Sequence, residues 1–537
     1  MASKANPRKT LLVAALVASG ALGVADDANA VHINPDGLGQ LLFYPYYTVR
    51  NDFFTAMSIV NTTSLTKAVK VRFLEGKNSR EVMDFNLFLA PADVWTGVVL
   101  PTTNGAKLET GDNSCVTPSD LFGNAAGVVR SDGSGLPFNE FKNYLYAGVR
   151  VDNPTFDTLD RTREGYIEVF EMGIITNATL TGFIKHSEGY ATNCAALDAY
   201  DGLSTAVSPA VKFPGNYLAS PGGGLTGRGS IINAASGAHY AYDVTALDGW
   251  WAPLVPGPGS VPYSAAGDAT PSISLQAGID TVSYVAVTGS PDIPNSSGVV
   301  RAVWSSPREA VSAVLMRGSI INEFVTDAVT LSKTDWVITF PTKRDYIGVG
   351  AGTPNRPFSN NFANSTTTGS CDTYALAIYT REEGTLSTGP FLNVGQPPVV
   401  DGPSILCWEA NVLELGTSGL FRSRNNAQLR LSARAFASET ATTSGALFST
   451  LSRRTLQGPN GWIALNFGAT DAMSNQLLQS LTPISATLNG RPIVGTHFGL
   501  PAIGAMFHNF TNTGVASTYG GVTPHKYLRN IDTGTVQ

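Results

Sequence analysis

The sequence predicts an all-β protein made of two tandem β-sandwich modules, Ig-like or jelly-roll-like, with little helix. Three observations lead there. Gly and Pro number 55 and 31 in the 537-residue chain, and only 14% of residues are charged, a composition of turn-rich folded protein rather than of disorder or coiled coil. Apolar residues recur with period two, or in short runs between turn residues, as strands require. One stretch only, Asp471 to Leu481, reads as a helix.

The first 30 residues form an export signal. Lys4, Arg8 and Lys9 open it, Leu11 to Ala25 is apolar, and Ala28-Asn29-Ala30 closes it with small residues. The apolar stretch is shorter than the ~20 residues of a membrane span, and the closing residues suit signal peptidase, so cleavage is expected after Ala30.

Strands are expected at Gln40 to Val49, Phe54 to Asn61, Val69 to Leu74, Glu81 to Leu89, Tyr166 to Met172 and Leu180 to Ile184. In the other half they fall at Thr281 to Val287, Val299 to Trp304, Val311 to Met316, Trp336 to Phe340, Tyr374 to Tyr379, Leu406 to Leu415, Gln428 to Ala433 and Trp462 to Phe467. Val69-Lys70-Val71-Arg72-Phe73 places apolar side chains on one face and cations on the other, and Gly76-Lys77-Asn78-Ser79 turns the chain. That predicts a half-buried hairpin. Pro253 to Pro271 breaks both periodicities, so module 1 is expected over 31–252, a linker over 253–271 and module 2 over 272–537. Gly352 to Ser370 and Ser387 to Ser404 read as long surface loops.

The modules read as a duplication. Laying Val69 on Val311 also sets Gly76 on Gly318, Glu81 on Glu323, Leu89 on Leu331 and Asp93 on Asp335, with Trp95 and Trp336 close behind. One residue further along, Val169-Phe170-Glu171-Met172-Gly173 meets Val412-Leu413-Glu414-Leu415-Gly416. Collinear blocks of this kind are the mark of an internal repeat.

The four cysteines, Cys115, Cys194, Cys371 and Cys407, form no C-x-x-C pair and no zinc spacing with His. In an exported chain an even number reads as disulfides. Of the three connectivities, Cys115 with Cys194 and Cys371 with Cys407 is preferred because each bridge then stays within one half. Such bridges contribute ~3 to 4 kcal/mol each.

His32-Ile33-Asn34-Pro35-Asp36-Gly37-Leu38-Gly39-Gln40, then Tyr44-Pro45-Tyr46-Tyr47-Thr48, then Val69 to Trp95 resemble exported proteins of Gram-negative bacteria that are labelled cell-surface proteins. The resemblance extends over most of the chain after residue 30. It implies a location and no mechanism.

Motifs for catalysis are sparse. There is no G-x-S-x-G and no H-E-x-x-H, the local signatures of an α/β hydrolase and a zincin. His32, His186, His239, His497, His508 and His525 read as structural or surface residues. Gly222-Gly223-Gly224-Leu225-Thr226-Gly227 matches G-x-G-x-x-G, but strand-like Ser230-Ile231-Ile232 follows where a dinucleotide fold needs a helix. Glu168 and Glu171 stand an odd number of positions apart in one strand, so they face opposite ways. Asp93 and Asp335, each before a Trp, are expected to close turns. Ser131-Asp132-Gly133-Ser134-Gly135 lacks the spaced acids of an EF-hand, so calcium stays open without a ligand set, and no other cofactor or metal is expected. Trp95 and Trp336 read as core. Trp250 and Trp251 alternate in direction, and one of them is the candidate for stacking on a sugar ring. Tyr44, Tyr46 and Tyr47 carry the same choice between core and ligand.

The net charge of -6 excludes a basic nucleic-acid footprint. The expected function is non-enzymatic: an exported structural protein of the bacterial cell surface or extracellular matrix, or else of the periplasm, that associates with itself or with other surface components. An adhesin or glycan-binding module is the alternative, and a secreted hydrolase the third reading. A lipid-facing barrel is disfavoured by the Gly- and Pro-rich breaks and the cysteines. N-terminal sequencing of the exported protein is expected to begin at Val31; a start at Met1 would overturn the signal.

Overall fold

The computed structural model describes residues 30–122, 136–152, 157–201, 217–251, 261–274, 281–287, 297–348, 356–362, 369–380, 385–388, 404–415, 419–424, 460–467, 479–512, 514 and 517–534. They form a mostly β protein of antiparallel sheets with few helices. In the first half an eight-stranded sheet runs His32–Ile33, Thr245–Asp248, Leu41–Thr48, Glu164–Ile175, Lys67–Glu75, Glu81–Leu89, Cys115–Thr117, with Leu218–Ala219 joined to Glu164–Ile175. A six-stranded sheet runs Ala238–Asp243, Leu225–Asn233, Phe54–Asn61, Val94–Pro101, Ala106–Glu109, Phe138–Glu140.

The six-stranded sheet obeys the period-two rule. Phe54–Asn61 buries every second side chain, and Met57 and Ile59 join Trp95, Val99, Leu225 and Ile231 in one core. Across from them the eight-stranded sheet contributes Leu42, Val69, Val71, Phe73, Ile167 and Val169. The result is a β-sandwich, the way a sheet with one apolar face hides it.

The eight-stranded sheet is buried on both faces, which the sequence pattern does not predict. Every residue of Lys67–Glu75 is buried, so the hairpin is not half-buried. Its cation face is covered by chain rather than water. Lys70 Nζ bonds Asp84 at 3.0 Å and the Ala265 carbonyl at 2.6 Å, and Arg72 Nε meets Glu81 at 2.8 Å. Residues 261–271, the described end of the Pro- and Gly-rich stretch, contain no helix or strand and lie over this face, where the Gly267 amide also bonds Asp84 at 2.8 Å.

The second half holds a six-stranded sheet containing Asp372–Thr380, Asn460–Asn466, Ser319–Val325 and Lys526–Leu528, and a four-stranded sheet of Ala410–Leu415, Lys333–Thr339, Ile503–Asn512 and Ser517–Pro524. A second four-stranded sheet joins Val282–Val287, Gly298–Val303, Ser485–Leu488 and Arg491–Ile493. All these sheets keep to their own side of 253–271, but the cores do not. Phe421, Val412 and Phe507 pack in the core of the first sandwich, while Leu41, Phe43, Phe170 and Trp250 pack in the core of the second half.

Two expected strands are helices. Val311 to Met316 lies in the Pro307–Leu315 helix, apart from Met316 itself. Pro307-Arg308-Glu309 is a start signal that apolar counting overlooks: Pro sits in the first turn, and Glu309 turns back to accept from the Ser305 amide at 3.0 Å and hydroxyl at 2.5 Å, tying the entering chain to the helix start. Leu180 to Ile184 belongs to the Ala178–Ile184 helix, where Asn177 accepts from the amides of Thr179 and Leu180, the role of an N-cap. The expected helix at Asp471 to Leu481 lies outside the described residues up to 478, and Ser480–Leu481 is a strand. Gln428 to Ala433 also lies outside them. The expected surface loop Gly352 to Ser370 buries Phe358 and Phe362.

Duplication is not shown. The offset that lays Val69 on Val311 sets the Lys67–Glu75 strand on the Pro307–Leu315 helix. The Glu164–Ile175 strand pairs with Leu41–Thr48 and Lys67–Glu75, whereas its aligned counterpart Ala410–Leu415 pairs with Lys333–Thr339.

Both bridges form as expected, Cys115 with Cys194 and Cys371 with Cys407. A buried ion pair, Lys67 Nζ to Glu171 Oε1 at 2.5 Å, has both side chains fully excluded from water. Removing one partner of such a pair strands the other charge. Lys67→Met is therefore expected to cost about 3–5 kcal/mol in urea unfolding at neutral pH, and Lys67→Met with Glu171→Gln less than Lys67→Met alone.

Candidate functional site

Three arrangements of polar residues distinguish this molecule. The first clamps the halves together. Arg50 Nε reaches Glu164 Oε1 at 2.5 Å, and Glu164 also accepts from Tyr46 Oη at 2.7 Å, Ser423 Oγ at 2.6 Å and the Arg424 amide at 2.8 Å. Arg424 closes the loop on Asp160 at 3.0 Å, and Arg50 also holds Asp160. Beside it Arg161 binds Glu75 at 2.5 Å and Asp152 at 2.7 Å. Burial would raise the carboxyl of Glu164, but Arg50 and the donors around it hold it below its ordinary value. Lys77 lies over the Trp408 ring at 4.0 Å and donates to the Arg424 carbonyl at 2.9 Å; burial pushes it down to about 7.

The second arrangement is a pair of carboxylates. Asp335 and Glu414 are direct cross-strand neighbours, both buried. Asp335 accepts from the Phe421 amide at 2.9 Å, and Glu414 from the Ser423 amide at 3.1 Å. With Glu164 they cradle the amides of the 419–424 segment, which drives Phe421 among Tyr46, Phe53, Tyr240 and Phe507. Burial pushes Asp335 up to about 7. Glu414 is raised by burial and then by the charge of Asp335.

The third is a cleft of about 560 Å³ between the halves. One wall is the turn Asn34 to Gly37, where Asn34 Oδ1 accepts from the Asp36 amide at 2.9 Å and Gly37 takes a φ of 74°. Gly39 follows because a Cβ there would strike the Leu247 backbone. Val244 and Ala246 continue that wall, and Arg317, Ile320, Ile503 and Tyr527 face it from the second half. His525, also on the lining, is bonded through Nδ1 to Asn322 and through Nε2 to the Val337 carbonyl, each at 3.0 Å. Burial pushes its pKa down to about 4, so it stays neutral.

The residues singled out from sequence scatter. Trp250 and Trp251 are 0% and 5% exposed and pack on each other, Trp250 also on Phe170, so neither presents a ring to a sugar. Tyr44, Tyr46 and Tyr47 are core, as are Trp95 and Trp336. Glu168 and Glu171 do face opposite ways: Glu168 lies 3.8 Å from Arg72, while Glu171 takes Lys67 and the amides of Gly222 and Gly223 at 2.9 and 2.8 Å. The G-x-G-x-x-G amides thus serve a carboxylate of the chain itself. Asp93 closes its turn, accepting from the amides of Ala90 and Val94. Asp335 does not; it sits inside the Lys333–Thr339 strand. His497 is buried and pushed down to about 4. Ser131 to Gly135 lies outside the described residues, and among the described residues no group of three His, Cys, Asp or Glu is placed to hold a metal.

Sequence reasoning missed Arg317, Tyr527 and Arg529 entirely. Arg317 and Arg529 look like solvated cations in sequence, and nothing local announces their burial. No protein-family model, curated protein or solved structure matches the chain.

Asp335 gives a pH dependence with a definite sign. A carboxyl raised above its ordinary value binds more protons folded than unfolded, so its contribution to stability is full below the ordinary carboxylate range and lost as pH rises through about 7. Glu414, Glu168 and Glu409 are raised by burial as well and act in the same direction. His497 and His525, held neutral by burial, act the other way up to about pH 6.5, so the carboxyl effect is read as the difference between proteins. From about pH 5 to 7 the unfolding free energy of Asp335→Asn is expected to gain roughly 1–3 kcal/mol relative to the parent, and chemical denaturation of both across the window checks it.

Proposed function

We propose that this chain is an exported structural protein of the bacterial cell surface or extracellular matrix, and that it associates with itself. The observation that carries the reading is the pair of disulfides, Cys115–Cys194 and Cys371–Cys407, because such bridges persist in oxidising compartments outside the cytoplasm. The basic, apolar and small-residue stretches of residues 1–30 support export, and the resemblance over His32 to Gln40 supports the surface. Among the described residues no helix is long and apolar enough to cross a membrane.

Durability follows from the construction. Two halves share their cores and are joined at the buried Glu164 carboxylate, whose bonds from Ser423 and Arg424 cannot open without leaving a buried charge less satisfied. Self-association would use sheet edges. The Phe138–Glu140 strand pairs only with Ala106–Glu109 among the described strands, and Phe138 on it is 42% exposed. An open edge offers main-chain hydrogen bonds to a second copy.

Fractionation of the source bacterium, with periplasmic and cytoplasmic markers, tests the location; the protein is expected with the envelope or the medium, and retention in the cytoplasm would sink it. Negative-stain electron microscopy of the purified exported chain at near-neutral pH tests the assembly. Sheets or filaments are expected, and monodisperse monomers under all near-native conditions overturn self-association.

A further inference from the structure

Most of the buried cations in this molecule have an anion of their own. Arg50 has Glu164, Arg161 has Glu75, Lys67 has Glu171 and Arg72 has Glu81. The cleft between the halves departs from that pattern. Arg317, only 5% exposed, donates Nη1 to the carbonyls of Val314 and Met316 at 3.3 and 3.1 Å. Its guanidinium lies 3.6 Å from the centre of the Tyr527 ring, with Arg529 at 5.4 Å from the same ring. Arg529 donates to the Val314 carbonyl at 3.0 Å, and its Nη1 is buried without a partner. Among the described residues no carboxylate pairs with either arginine.

Two guanidinium groups about one phenol, Arg317 buried and Arg529 half-buried beside a Tyr527 ring that is 43% exposed, with no acid paired to either, make a site that favours negative charge. Burial and the charge of Arg529 together push Arg317 down to about 9. Burial would raise the Tyr527 phenol, yet the two arginines outweigh it and lower it. His525 is neutral and held by two bonds, so it neither adds to nor cancels that field. The acids on the lining are Asp36 and Asp243, both exposed, and Asp243 is occupied with Arg228 at 3.2 Å. Beside Arg317 the lining carries apolar Ile33, Val244, Ile320, Ala502, Ile503 and Pro524 interleaved with polar Asn34, Thr226 and Thr245. The volume, about 560 Å³, is that of a small-molecule pocket.

We propose that this cleft binds an amphipathic anion, a carboxylate on an aliphatic body of the medium-chain fatty-acid kind, with its head on Arg317 and Tyr527 and its body along Ile320, Ile503 and Val244. A planar guanidinium fork matches a carboxylate with two parallel hydrogen bonds. The aliphatic body takes apolar wall out of water. The site is independent of surface assembly and stands or falls separately.

Isothermal titration of the purified exported chain at pH 7.5 tests it, with sodium decanoate as the probe and decanol, decyl phosphate and acetate as comparisons. Decanoate is expected to bind one to one and at least about tenfold more tightly than decanol, a difference of about 1.4 kcal/mol, with acetate too weak to measure. Arg317→Gln is expected to lose at least that tenfold for decanoate and nothing for decanol. Because Arg317 also braces two carbonyls, Thr226→Trp, on the half-exposed rim of the cleft, supplies a second variant that fills the space; it is expected to abolish both. Decanol binding as tightly as decanoate overturns the anion site, as does a folded Thr226→Trp protein that binds decanoate normally, or the absence of binding at about 1 mM decanoate. Decyl phosphate binding more tightly than decanoate overturns the choice of carboxylate.

Discussion

A charge taken out of water must be paired and hydrogen-bonded, and this one requirement organises the contact between the two halves. Glu164 shows it most clearly. Its two oxygens serve Arg50 and Tyr46 from the first half and Ser423 and Arg424 from the second. No small slide of one half over the other keeps these bonds. Hydrophobic contact between the shared cores supplies attraction without direction, whereas the carboxylate sets the register. Within the first half, Arg161 likewise pairs with Glu75 and Asp152.

The same requirement explains how an irregular segment is held inside the protein. Residues 419–424 lie in no strand, and buried amides need acceptors. Asp335, Glu414 and Glu164 provide them. Burial raises Asp335, and burial followed by the charges of Asp335 and Glu164 raises Glu414, while Arg50 lets Glu164 stay ionised. With its backbone satisfied, the segment can push Phe421 into the aromatic cluster of the first sandwich. Loop, carboxylates and core are therefore one unit.

Much of the secondary structure was legible. Phe54 to Asn61 and Glu81 to Leu89 were placed by alternation alone, and both disulfide pairings followed from keeping each bridge within one half. The failures have physical causes. Val311 to Met316 is apolar enough for a strand, and Pro307 with the Ser305–Glu309 bonds turns it into a helix through its start rather than its middle. Lys70 and Arg72 looked solvated because a cation's burial depends on an acid brought from elsewhere in the chain. Trp250 and Trp251 looked like a ligand platform because strand alternation was assumed to leave one face in water, and the second half covers that face. The cleft was invisible for the same reason: its walls, Asn34 to Gly37 and Arg317 to Ile320, are hundreds of residues apart.

By itself the sequence determined the β class, the strand-forming runs, the turn residues and the cysteine pairing, since these depend on propensity, periodicity and spacing along the chain. Only the tertiary structure decided which charges are buried, which loops are cradled by carboxylates, and where Arg317 is left on a cleft wall with no acid paired to it. Those are properties of neighbours distant in sequence. A side chain's electrostatic environment is set by what folds against it, and no local pattern records that.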